Sequence, residues 1–71
     1  MKIFCEIEES TGVVLGVLRT HAKPIYPVGR IGVEVLDYNT DYLGGHYNGT
    51  TVDKCPAGKV WDVATNSFIA A

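Results

Sequence analysis

The sequence predicts an all-β fold: one small domain over residues 1–71, with five to six short antiparallel strands. They would be joined as hairpins into a partly open barrel or sandwich. Three observations predict it. Apolar residues recur mostly with a period of two, as on a half-buried strand. Turn-forming residues interrupt that pattern roughly every ten positions. Only the stretch 38–45 has room for a helical turn, and for no more than one.

The elements follow in order. Over residues 2–8, Ile3, Cys5 and Ile7 share one face while Glu6 and Glu8 share the other. Glu9, Ser10, Thr11 and Gly12 make a short polar turn. Residues 13–19 are rich in β-branched side chains and complete an antiparallel hairpin. Gly16 inside that strand predicts a bulge or a close backbone approach. Residues 21–29 form a connector, because Pro24 and Pro27 lack the donor that a central strand needs. It is expected to cross an edge or an end of the sheet. Residues 30–37 give a third strand, with Ile31, Val33 and Val35 on one face.

Asn39 or Thr40 would cap a helical turn, and Gly44 would end it. His46 and Tyr47 then run into Asn48-Gly49, a strong hairpin signal. Residues 50–53 form a short strand. Residues 59–63 and 67–70 make a closing hairpin over Ala64, Thr65 and Asn66.

Composition excludes several classes. The net charge is −2, from eight acidic and six basic residues. This is no footprint for phosphate contacts, so nucleic acid is not an expected partner. The longest apolar run, 13–18, is far short of the roughly 20 residues of a membrane span. The N-terminal residues turn acidic at Glu6, unlike a secretory signal. Without an export signal, Cys5 and Cys55 are expected as free thiols rather than a disulfide.

Chemistry-bearing residues form no signature. Cys5, His21, His46 and Cys55 match a zinc site in number, but no two lie at the close spacing that holds the first ligands. Cys55 with His46, or Ser10 and Ser67, lack the oriented base that an activated nucleophile needs. Glu6 and Glu8 on one strand face read as solvated. The glycines fit no phosphate-binding pattern. No catalytic residue, cofactor or metal is expected, and no enzyme activity.

The aromatic residues carry the functional expectation. Tyr38, Tyr42 and Tyr47 crowd one turn-rich stretch. Together with His46 and Tyr26 they are candidates for a protein interface, since tyrosine suits a surface that is apolar at one end and wet at the other. Trp61 and Phe68 are expected to fill the core.

The run Leu43, Gly44, Gly45, His46, Tyr47, Asn48, Gly49 followed by Trp61, Asp62 and Phe68 resembles the end of small virion-associated proteins of tailed bacteriophages. There, a Leu-Gly turn leads into Tyr-Asn-Gly and a Trp-Asp hairpin closes on Phe. The resemblance covers roughly the last 30 residues. It implies a structural or accessory protein of a phage tail, in the virion or the host cytoplasm, that docks on a larger assembly or forms a homo-oligomer. Two alternatives stand beside it. One is a phage-encoded inhibitor of a host enzyme or defence complex. The other is a carbohydrate-contacting module built on the tyrosines.

Overall fold

A computed structural model describes residues 1–71. At its centre is β1, Lys2–Glu8, with β2, Val14–Thr20, on one side and β3, Arg30–Val35, on the other. Both neighbours run antiparallel to β1. Glu6 faces Gly16 and Ile7 faces Val14, so Leu15 is an extra, bulged residue beside the glycine that signalled it.

Alternation gives this sheet two distinct faces. One carries Cys5, Ile7 and Val14, which are buried with Tyr42 and flanked by Val17, Ile31, Val33 and Val35. The other carries Glu6 between Gly16 and Gly32. β2 and β3 point the same way, so the connector over residues 21–29 has to return along the sheet. The sequence suggested a crossing at an edge or an end; part of the connector lies over the second face. Tyr26 lies over Gly32, where a Cβ would stand 2.9 Å from the tyrosine ring, with Pro24 beside it. The trough left by a side-chain-free residue explains the path. Phe4 is buried on this same second face.

After β3 comes a single 3-10 turn, Thr40–Tyr42. The Asn39 side chain caps it by accepting from the Asp41 amide at 2.8 Å. Two ribbons complete the chain. β4, His46–Tyr47, pairs with β5, Val52–Asp53. The Asn48 side chain organises their turn, its Oδ1 accepting from the Thr50 and Thr51 amides, both at 2.9 Å. β6, Lys59–Asp62, pairs with β7, Ser67–Ala70. Their turn places Asn66 at φ 55°, a left-handed conformation that asparagine tolerates.

The strands therefore number seven, not five or six, all short and antiparallel, in three small sheets. The extra one is His46–Tyr47, which acts as a full hairpin arm. It also ties its ribbon to the main sheet. The Val14 amide donates to the Gly45 carbonyl at 3.0 Å, and the Tyr47 amide to the Gly12 carbonyl at 2.7 Å. Gly12 is required at this junction. Its φ is +77°, and a Cβ would sit 2.6 Å from His46 Nε2. No helix is long and apolar enough to cross a membrane.

Candidate interaction surfaces

The five candidate residues separate into three settings. Tyr42 is a correction: expected at a surface, it is only 7% exposed and plugs the core beneath β1. Its position follows from the 3-10 turn, which folds the ring back onto Cys5, Ile7 and Val14. Its hydroxyl donates to Asp37 Oδ1 at 2.8 Å, and Lys54 Nζ donates to Asp37 Oδ2 at 3.2 Å. The ammonium of Lys54 also stands 5.2 Å from the Tyr42 ring centre. Burial, helped by the hydrogen bond to Asp37, raises the Tyr42 pKa to about 12. The same Tyr42 bond, helped by Lys54, lowers that of Asp37.

Tyr38 and Tyr26 stand apart. Tyr38 is 45% exposed, with the Arg19 guanidinium 4.7 Å over its ring. Tyr26 is half-buried over Gly32. Burial, then the Glu6 carboxylate, pushes its phenol pKa upward.

His46 and Tyr47 stay together. They line a cleft of about 490 Å³ where the Glu9, Ser10 and Thr11 turn meets Asn48. Its polar groups are amides, hydroxyls, the His46 imidazole and one carboxylate. The Tyr47 ring packs against the core, while its hydroxyl donates to the Gly49 carbonyl at 3.0 Å. One His46 face is covered by Trp61, stacked at 3.6 Å between ring centres and 11° between planes. Phe68 meets the same indole edge-on at 5.0 Å. Trp61 thus packs between β4 and the last ribbon rather than in the main core.

No protein-family model, curated protein or solved structure matches this chain. The surface itself is then the guide. Cys5 is fully buried, and burial followed by the Asp37 charge lifts its thiol pKa to about 11, so it stays protonated at neutral pH. Cys55 is also a free thiol and donates to the Lys59 carbonyl at 3.1 Å. No three His, Cys, Asp or Glu side chains come close enough to hold a metal ion.

The most exposed large apolar side chains are aliphatic, not tyrosines. Ile25, Val28 and Leu36 are about as exposed as in an unfolded chain, at 98%, 104% and 101%. The signal was available for Leu36. It follows Ile31, Val33 and Val35 out of phase, so alternation turns it off the core face. All three lie in or beside the segments flanking β3.

Proposed function

We propose that this chain is a non-enzymatic small β protein of tailed-bacteriophage type, a structural or accessory component of the virion that works by self-association or by docking on a larger protein assembly. One observation carries the reading. Only six of 71 residues are buried, while eleven large hydrophobic side chains are exposed. A 71-residue chain has a thin stability margin, and apolar area left in water is worth about 25 cal/mol per Å² once a partner covers it. The resemblance of the last 30 residues to virion-associated proteins supplies the biological setting, and with it a place in the virion or host cytoplasm.

Sedimentation of the purified protein at micromolar concentration, with mass spectrometry of purified particles, tests this. The expected result is an oligomer, or the chain present among the particle proteins. A monomer that is absent from particles and binds no neighbouring gene product overturns it, and the inhibitor reading then takes precedence.

A further inference from the structure

The self-association in that reading has a specific site on this molecule. In the three-stranded sheet, the start of β2 is already covered: the Val14 amide donates to the Gly45 carbonyl and the Val14 carbonyl accepts from the Gly44 amide. β3 pairs with β1 alone, so its outer edge carries no second strand. Which backbone groups point outward follows from the ladder. The Glu9 amide donates to the Gly29 carbonyl at 2.9 Å, extending the register that pairs Glu8 with Arg30. In an antiparallel ladder, hydrogen-bonded pairs alternate. Ile31, Val33 and Val35 therefore direct their N–H and C=O groups at β1, and Arg30, Gly32 and Glu34 direct theirs outward. The Arg30 amide is already bonded to the Pro27 carbonyl at 3.1 Å. The other outward groups of these three residues face no strand.

We infer that β3 pairs with β3 of a second copy of this chain across a two-fold axis at Gly32, making one continuous six-stranded sheet. An isologous contact needs residues that complement themselves. Outward groups must meet outward groups, which restricts the register to even-numbered pairs. Setting Gly32 opposite its own copy places Arg30 opposite the second copy's Glu34, twice. Opposite charges directly across a ladder stabilise, and like charges destabilise. Arg30 binds Glu6 at 2.9 Å on the same face, whereas Glu34 has no ion partner in the monomer. Ile31 then faces Val33 of the second copy in a non-hydrogen-bonded pair, where side chains approach most closely. Val28 and Leu36, the two most exposed large apolar side chains, flank the ends of the paired strands, Val28 within the turn that closes from Pro27 to Arg30. The neighbouring even registers lose the ion pairs: Gly32 facing Glu34 sets Arg30 against Leu36, and Gly32 facing Arg30 leaves Glu34 opposite Val28.

The test uses the whole chain. Glu34→Pro removes an outward N–H and leaves the β1 ladder intact. It should give a folded monomer, with the wild-type circular dichroism spectrum, where the wild type sediments as a dimer. Glu34→Arg should weaken association by about tenfold. In a Cys55→Ala background, Arg30→Cys with Glu34→Cys should be captured as a disulfide dimer on mild oxidation, because opposite Cα atoms lie about 5.5 Å apart. Arg30→Cys with Leu36→Cys should not. A wild type that is monomeric at about 100 µM and gives no disulfide capture overturns the inference. A wild-type dimer unaffected by Glu34→Pro or Glu34→Arg also overturns it, but leaves the self-association reading standing. If Glu34→Pro fails to fold, the two cysteine pairs decide.

Discussion

Tyr42 shows how much a single side chain sets in a fold this thin. Its ring covers Cys5 and Ile7, and its hydroxyl reaches out to Asp37 at the boundary with solvent. Tyr42→Phe keeps the ring and removes one charge-assisted hydrogen bond, so it should cost about 1 kcal/mol by denaturant titration. The pH dependence has a definite sign. A phenol whose pKa rises on folding from 10.0 to about 12 stabilises fully below pH 10, and that contribution is lost as pH climbs toward 12. Asp37 works at the other end. Its pKa is lowered from 3.8 on folding, so its contribution is present above pH 4 and lost on further acidification. Tyr42→Phe should flatten the alkaline limb of the stability curve, and an unchanged limb would detach the hydroxyl from that effect. Gly12→Ala is expected to be costlier than its size suggests, about 2 kcal/mol. The left-handed backbone and the close His46 ring leave the methyl no relief. Thermal unfolding of the two single variants ranks them.

At the scale of elements, the junctions matter more than the strands. β1 and β7 lie where alternation places them, Lys2–Glu8 and Ser67–Ala70, because both patterns are local. The junctions were not legible, since each depends on residues distant in sequence. Tyr42 reads as a surface tyrosine until the 3-10 turn tucks it under β1. The connector reads as crossing an edge or an end of the sheet, with no sign that Gly32 opens a trough for Tyr26. Trp61 reads as core until His46 stacks on it and draws the last ribbon toward β4. Of the interface candidates, the sequence brought His46 and Tyr47 together but gave no sign of the exposed aliphatics around β3, apart from the phase of Leu36. The last ribbon makes a separable prediction. It is held through Trp61, whose Nε1 is covered yet has no hydrogen-bond partner, so stacking and burial carry the attachment. Trp61→Ala should therefore release residues 59–70 as a local unit. Amide exchange should accelerate there while β1 remains protected. Uniform loss of protection across all seven strands would show instead that the ribbon is integral to the main fold.

For the whole molecule, folding and association should be one linked equilibrium. The buried side chains sit mostly on β1 and the start of β2, with Tyr42 as the lid, and the outer face of β3 borrows little from them. Pairing β3 with a second copy adds a partner to the strand that has only one. Whatever binds only the folded state raises its apparent stability with concentration, by about 2.7 kcal/mol at a hundredfold excess over the dissociation constant. In a domain of this size 1 kcal/mol shifts the melting temperature by about 4–8 °C. Raising the protein from about 1 µM to about 100 µM should thus raise the melting temperature by an amount on the order of 10 °C, if the dissociation constant is near the lower figure. Glu34→Pro should melt at one temperature throughout that range. This comparison separates edge pairing from general stickiness of the exposed aliphatics. If those side chains associate without register, the variant keeps its concentration dependence. If the edge governs, the variant loses it, whatever fixed amount the proline itself takes from the dilute-limit stability. A wild-type melting temperature that does not move with concentration would show that the monomer is the complete folding unit.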